Sequence, residues 1–341
     1  LLMRTLWRLL LSGRVRSPWR EPDLYRWKSR LKREGLTATL RLELRELLSP
    51  KVRLRKPFRW GEEPESTDEP TRLRQLVDWE LVLAADHVHS ALRDLADAQW
   101  HAGLPSLLDD LQQLLRDALD LLRELGEADD HSDRSHWDLP SISPHWQNRG
   151  FRDWVALVEL LRDAWLATRE RDATRARRIA LGWFDTSYPT FKRLALFAAS
   201  TDDGIDPTMW VQWLVLDDAW WLWSVDTKRE TMRLLVQRAP KLSPADRAKL
   251  ETAILVGPPR RMYRDEIEPE RWQELVDHSV WLHLAKVREG GVPLGEEALQ
   301  RGYLRRECQC HDPDPGEMQP AAITLHQPDP CRRQRRQHLQ W

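Results

Sequence analysis

Helix-start signals recur through the second half of the chain and restrict its fold more than any other feature. Asp206-Pro207, Ser243-Pro244 and Glu268-Pro269 each place a plausible cap before a proline in the first helical turn. Between these signals lie helical segments of roughly 15 to 20 residues, joined by short loops. With only 14 glycines in 341 residues, helix is favoured over sheet. The sequence therefore predicts an all-α protein, arranged as an irregular α-solenoid of HEAT-like helix pairs.

Composition divides the chain into four segments. Residues 1–60 are basic, with 17 Lys and Arg against 5 Asp and Glu, and they combine helix with one extended piece. Residues 61–149 form an acidic helical region with linkers, and residues 150–300 form the repeat-like helical array. Residues 301–341 lose helical periodicity and contain all three cysteines, so we predict a disordered C-terminal tail there.

The tail leaves other interpretations open. It contains four potential zinc ligands, namely Cys308, Cys310, His311 and Cys331. Two adjacent ligands rarely both reach one tetrahedral ion, so we expect no metal site. Another interpretation is that translation leaves the natural frame near Gln300. Because the chain also starts at Leu1 and not at Met, we expect a piece of a longer gene product.

Local patterns predict individual elements before residue 150. Residues 36–48 are expected to be a short helix, followed by an extended basic segment over 51–60. Three-and-four spacing of apolar residues predicts a long helix over 72–100, which Gly103 and Pro105 would interrupt. A second helix is expected to be capped by Ser106 and closed by Gly126. Residues 127–149 are expected to be a linker with a solvated acidic loop.

The chain is rich in tryptophan, and five of its 19 tryptophans fall in residues 210–223, WVQWLVLDDAWWLW. On one continuous helix, Trp210, Trp213, Trp220 and Trp221 span an arc of about 100°. We interpret this arc as core, while a ligand platform and a membrane-interface role remain alternatives. Asp217 falls inside the arc and would need hydrogen-bond donors there.

Catalytic and cofactor motifs are absent from the sequence. It has no GxxxxGK[ST] phosphate loop, no GxGxxG, no HExxH and no G-x-S-x-G elbow. His87 and His89 are two residues apart and would point to different sides of a helix, so a shared metal or base role is not expected. We predict a protein that is not an enzyme, with no catalytic, cofactor-binding or metal-binding residues and no cofactor.

The best candidate for binding is the basic stretch around residues 19–33. Its positive residues are Arg20, Arg26, Lys28, Arg30, Lys32 and Arg33, and Trp19, Tyr25 and Trp27 lie among them. Such a stretch could contact phosphates and stack on exposed bases. The same composition suits a helix docked on an acidic neighbour, and residues 61–170 hold 24 Asp and Glu against 10 Lys and Arg. Both interpretations remain open.

No apolar run approaches the ~18 to 20 residues that cross a bilayer. The opening LLMRTLWRLLLSGRVR is interrupted by arginines and lacks a convincing cleavage site. We therefore expect a cytoplasmic protein without membrane contact.

Residues 188–200, YPTFKRLALFAAS, and the segment WLWSVDTKRETMRLLVQRAPKLSPADRAKLETAILVGPP give the chain a family resemblance. It resembles the helical C-terminal regions of large bacterial phage-defence proteins, which join a sirtuin-like or nuclease effector, often with a STAND-type NTPase, to a helical sensor. The resemblance implies recognition of a phage protein or gating of the effector, with catalysis elsewhere. The chain lacks the phosphate loop and the nicotinamide-binding glycines, so no catalytic residue carries over.

Together these observations predict a non-catalytic helical scaffold or sensor that mediates protein–protein interaction, as a fragment of an antiviral defence protein. Its partner would be the missing effector domain of the same protein or a phage protein. The alternative is a nucleic-acid-binding protein that acts through the basic N-terminal segment.

Overall fold

A computed structural model describes residues 2–16, 23–55, 73, 76–93, 95, 98–148 and 152–300. The chain divides into two compact units, Leu1–Ala198 and Ala199–Trp341. The described parts are mostly helical, with one two-stranded sheet, which confirms the all-α class. The HEAT-like solenoid and the four sequence segments stay predictions. The tail 301–341, with its proposed metal and frame-shift interpretations, lies outside the described residues.

The first unit contains the sheet and most of the helices. Its elements in chain order are α1 (Leu2–Leu11), α2 (Leu24–Glu34), α3 (Ala38–Leu47), β1 (Pro50–Arg55), β2 (Asp78–Leu83), α4 (Val88–Arg93), α5 (Ala98–Glu124), α6 (Ser135–Asp138), α7 (Ala156–Arg171), α8 (Ala173–Phe184) and α9 (Pro189–Thr201), of which residues 199–201 fall in the second unit. The helix predicted over 36–48 is confirmed as α3, and the extended basic segment is confirmed where it is described, as β1. Residues 56–60 of that segment lie outside the described residues.

The long helix predicted over 72–100 is wrong. Residues 78–83 form β2, which pairs antiparallel with β1 from Pro50 opposite Leu83 to Arg55 opposite Asp78. In the segment DWELVL the first four side chains alternate between partly buried and buried, and the last three are all buried. Its pairing with β1 satisfies the backbone groups that a helix would satisfy internally. Helical spacing over a short apolar run cannot distinguish these two outcomes without the partner strand.

The break predicted at Gly103 and Pro105 is also wrong, because α5 runs through both. Ser106 does not cap a helix; its Oγ donates to the Gly103 carbonyl oxygen at 2.7 Å within α5. Gly103 instead permits close packing, since a Cβ there would meet Leu36 Cδ2 at 2.8 Å. The C-terminal prediction is confirmed: Gly126 has φ +78°, and Glu127 N–H donates to the Leu122 carbonyl oxygen at 2.9 Å.

The core of the first unit lies between α5 and α7, with α8 and α9 completing it. Trp165 and Trp183 are fully buried there, and the indole N–H groups donate to the Ala176 carbonyl oxygen and to Gln112 Oε1. Each indole that is buried with a satisfied N–H contributes several kcal/mol as an upper bound, at about 25 cal/mol per Å².

The solvated loop predicted within residues 127–149 is wrong at its centre. Asp133 is buried and accepts hydrogen bonds from Thr190 N–H and Oγ, both at 2.6 Å, and from Ser135 N–H at 3.0 Å. Thr190 is the second residue of α9, so Asp133 caps that helix from 57 positions upstream. Arg193 is likewise buried and donates to the Leu139 carbonyl oxygen at 2.8 Å. The segment is fixed by these two residues.

Within its described residues, 199–300, the second unit contains α10 (Pro207–Trp223), α11 (Lys228–Arg238), α12 (Pro244–Val256) and α13 (Pro269–Glu289). All three predicted starts are confirmed. The Asp206 side chain accepts from Thr208 N–H, and Ser243 Oγ accepts from Asp246 N–H. Glu268 precedes Pro269 as predicted, although its side chain makes no capping hydrogen bond.

The continuous tryptophan helix is wrong, because the chain leaves the right-handed helix within α10. Leu216 is extended, and Asp217, Asp218 and Ala219 have φ of 55°, 55° and 61°. The core interpretation holds for most of the tryptophans: Trp210, Trp213, Trp221 and Trp223 are buried. Trp220 is half-buried and Asp217 is exposed, because the left-handed turn moves both side chains out of the arc that they would share on one continuous helix.

Candidate interaction surface

Basic residues of the first 60 positions pair with acidic residues further along the first unit. Asp86 binds Arg16 and Arg53, Asp110 binds Arg41 and Arg45, Glu80 binds Arg55, and Glu124 binds Arg8 and Arg14. The hydrogen bond from Arg16 holds the pKa of Asp86 below its ordinary value. Intramolecular pairing therefore accounts for much of the charge segregation that the sequence shows.

The six predicted contact residues are not equivalent in the structure. Arg20 lies outside the described residues. Lys28 donates to the Ala91 carbonyl oxygen at 2.8 Å, and Arg30 binds both oxygens of Glu43 at 2.8 and 2.7 Å. Arg33 binds Glu34 on its own helix at 2.6 Å. The hydrogen bonding that Arg30 donates to Glu43 is the largest cause that raises the pKa of Arg30.

The aromatic residues of α2 also divide into buried and exposed. Trp27 is buried, and its indole N–H donates to the Leu40 carbonyl oxygen at 2.8 Å. Tyr25 is 55% exposed and lies one turn from Ser29 and two turns from Lys32. Arg26 and Lys32 are exposed as well. Among the described residues of this stretch, the surface left for a nucleic acid is therefore small and consists of Tyr25 with Arg26, Lys32 and Arg33 near it.

A second exposed surface lies on α1, where the sequence indicated only an interrupted apolar run. Leu9 is its buried residue, while Leu2 and Leu6 are half-buried on the same side. The opposite side carries the outer stripe, defined by Met3 (55% exposed), Trp7 (58%), Leu10 (44%) and Leu11 (82%). At 100° per residue these four side chains span about 100°, the width of a face that normally packs on a neighbour.

Two arginines border the outer stripe along one edge. Arg4 and Arg8 are exposed and lie one turn apart, next to Leu11 on the wheel. Arg8 pairs with Glu124 at 2.7 Å, and Arg14 pairs with the other oxygen of that carboxylate at 3.3 Å. The repeated spacing of Met3, Trp7 and Leu11 at four residues, beside Arg4 and Arg8 at the same spacing, is the sequence signal that could have identified this surface.

The first unit also contains a cavity of about 410 Å³ walled by Trp79, Trp137 and Trp154. Both of its arginines pair with lining carboxylates: Arg134 binds Glu127 at 2.7 Å and Arg152 binds Glu80 at 2.7 Å. The Trp154 indole N–H donates to Asp138 Oδ2 at 3.1 Å. Because four carboxylates and only two arginines line it, the cavity does not favour an anionic ligand.

A second cavity, of about 390 Å³, lies between α5 and α7 and has three histidines in its lining. Of these, His89 lies 2.9 Å from Glu159, through Nε2 and Oε2. Nearby, burial raises the pKa of Asp153. His87 is exposed, with φ of 56°. A His–carboxylate pair could act as a base, but none of the described lining residues is a Ser, Thr or Cys nucleophile.

In the described ranges, no three His, Cys, Asp or Glu side chains converge closely enough to hold a metal ion. Every helix in the same ranges is too short or too polar to cross a bilayer.

In the second unit, Arg261 holds the left-handed turn of α10. Its guanidinium donates to the Asp217 carbonyl oxygen at 2.9 Å and to Asp217 Oδ1 at 2.7 Å, and it lies 4.9 Å over the Trp220 ring. Left-handed backbone costs an L-residue about 1 to 2 kcal/mol, and less for aspartate. Asp217 therefore serves as an exposed partner for Arg261 and not as a buried carboxylate.

His283 is one of the buried titratable side chains of the same unit. His283 Nε2 lies 3.0 Å from the Leu222 carbonyl oxygen and Nδ1 lies 2.8 Å from that of Ser279. Burial lowers the pKa of this imidazole to about 4, so it is neutral at pH 7.

Comparisons of this chain with protein-family models, with functionally characterised proteins and with solved structures find no match.

Proposed function

We propose that this chain is a non-catalytic helical module that binds another protein, with the outer stripe of α1 as its contact surface. The observation that carries the proposal is the exposure of Met3, Trp7 and Leu11 on one helical face. Contiguous apolar surface of this kind typically marks an interaction site, and tryptophan is enriched among residues that dominate binding energy. Spacing at i, i+4, i+7 and i+8 is that of helix-mediated recognition.

The resemblance to helical regions of phage-defence proteins suggests the kind of partner. An effector domain of the same protein or a phage protein would each supply a second apolar surface for the outer stripe. Either partner leaves this chain in the role of sensor or scaffold, with catalysis on another domain.

Site-specific photo-crosslinking tests the proposal. A photoreactive phenylalanine analogue at Trp7 should give one discrete adduct in cells that produce the full chain, and mass spectrometry should identify a protein in it. The same analogue at Leu42, an exposed apolar residue on α3, is the matched control. The adduct should disappear with Leu11→Ser. Equal labelling from both positions would contradict the proposal.

The second candidate function is nucleic-acid binding through α2, which the exposure of Tyr25, Arg26 and Lys32 favours. Single-stranded RNA or DNA should then bind at ~50 mM salt, where electrostatic affinity is greatest, and weaken steeply as salt rises. Arg26→Glu together with Lys32→Glu should abolish the binding, whereas Arg4→Glu should not. Absence of binding at low salt would rule this function out.

A further inference from the structure

We infer that the partner of the outer stripe is an acidic amphipathic helix, whose carboxylates follow one edge of its own apolar face. The inference rests on the proposed function of α1 as a protein-binding surface. It follows from the charges that border the stripe and from the freedom of Arg8 to exchange its partner.

The outer stripe has one charged edge and one apolar edge. Arg4 and Arg8 follow the edge next to Leu11, whereas Leu2 and Leu6 occupy the other edge and are half-buried. A partner helix therefore meets positive charge on one side only. Four residues of α-helix rise about 6 Å, so carboxylates at i and i+4 on the partner would match the spacing of the two arginines.

Arg8 can leave Glu124 without leaving that carboxylate unpaired. Glu124 Oε1 lies 2.7 Å from Arg8, and Oε2 lies 3.3 Å from Arg14. The Arg8 side chain is 64% exposed while that of Glu124 is only 20% exposed. When a partner carboxylate takes Arg8, Arg14 continues to neutralise Glu124, so the exchange leaves no uncompensated charge at the surface.

Apolar and positive groups side by side favour a protein over a nucleic acid. A phosphate backbone would pair with Arg4 and Arg8 but would leave Met3, Trp7 and Leu10 against polar sugar and solvent. A partner helix covers both features, because its side chains pack between those of α1 while its edge carboxylates reach the arginines. An anionic bilayer could also match both features, and the vesicle measurement below separates it from a partner helix.

Labelled peptides test the inference on the full chain. The first peptide has a leucine stripe with glutamates at i and i+4 along one edge, and the second replaces those glutamates by lysines. Fluorescence anisotropy at low salt should show about tenfold tighter binding of the acidic peptide, as expected for two exposed ion pairs. Arg4→Glu with Arg8→Glu should reverse the preference, and Trp7→Ser should abolish binding of both peptides.

Arg4→Glu alone is the second variant, because Arg8→Glu also places two carboxylates beside each other at Glu124. It should remove most of the preference for the acidic peptide. Arg26→Glu on α2 is the matched control and should leave both affinities unchanged.

The outcomes separate this inference from the proposed function. If both peptides bind equally and Trp7 still crosslinks to a protein, the protein-binding function stands and the acidic partner is overturned. Vesicles of anionic lipid that bind the chain and displace the acidic peptide would also overturn the inference, in favour of a membrane. Loss of both the peptide binding and the Trp7 adduct would overturn the two proposals together.

Discussion

Replacing Asp133 by alanine should destabilise the first unit, because Asp133 is the buried acceptor that caps α9. The substitution removes the acceptor of three hydrogen bonds and leaves Thr190 N–H and Ser135 N–H without it. A buried donor left unsatisfied costs about 1 to 3 kcal/mol, and breaking a buried charged network costs about 3 to 5 kcal/mol. We expect a loss of about 3 to 5 kcal/mol, which is a large part of the ~5 to 15 kcal/mol that a domain typically has.

Urea denaturation of the full chain, followed by tryptophan fluorescence, measures this loss from the shift in midpoint. The stability of Asp133→Asn should lie between that of the wild type and that of Asp133→Ala, because the amide keeps one acceptor oxygen but turns its NH2 group towards a donor. Asp130→Ala is the matched control in the same segment: Asp130 is exposed and pairs with Arg123, so it should cost less than about 1 kcal/mol. Amide hydrogen exchange at Thr190 should accelerate only in the Asp133 variants. An Asp133→Ala variant as stable as the Asp130→Ala control would refute the proposed capping of α9.

Three further predictions concern the second unit. The pKa of His283 is lowered to about 4 in the folded state, so as pH falls below the ordinary value near 6.5 the unfolded chain binds a proton first, and the free energy of unfolding should drop by about 3 kcal/mol between pH 6.5 and 4. His283→Gln should remove that part of the loss measured by urea denaturation. Parallel pH profiles of the variant and the wild type would contradict the burial of His283. Asp218→Gly should stabilise the second unit by roughly 0.5 to 1 kcal/mol, because Asp218 has φ 55°, whereas in a continuous helix the same change would destabilise it by about 1 kcal/mol. The sign of the change in the free energy of unfolding therefore distinguishes the left-handed turn from a continuous helix. By the same measurement, Trp220→Ala should lower the free energy of unfolding by less than about 2 kcal/mol and Trp210→Ala by about 3 to 5 kcal/mol, because of these two only Trp210 is fully buried. Equal losses would instead support the continuous helix that the sequence predicts.

The helical class and several helix ends could be predicted because they depend on neighbours in sequence. Ser243 accepts from a backbone N–H three residues away, and Gly126 ends α5 by adopting a left-handed φ. The same local logic could have identified the outer stripe, since Met3, Trp7 and Leu11 recur at one spacing. What periodicity could not show is which side of α1 is buried, because both sides are apolar.

Features that rest on distant partners were decided only by the tertiary structure. The segment around Trp79 has a helical spacing of apolar residues but becomes β2, because β1 supplies its hydrogen bonds. The local sequence around Asp133 predicts a solvated carboxylate, but in the fold Asp133 is hydrogen-bonded to Thr190, 57 positions away. Asp217 falls within an aromatic arc on the wheel, yet Arg261 binds it at the surface across 44 positions, at a left-handed turn. In each case a long-range contact, which no local pattern records, outweighs the local backbone preference.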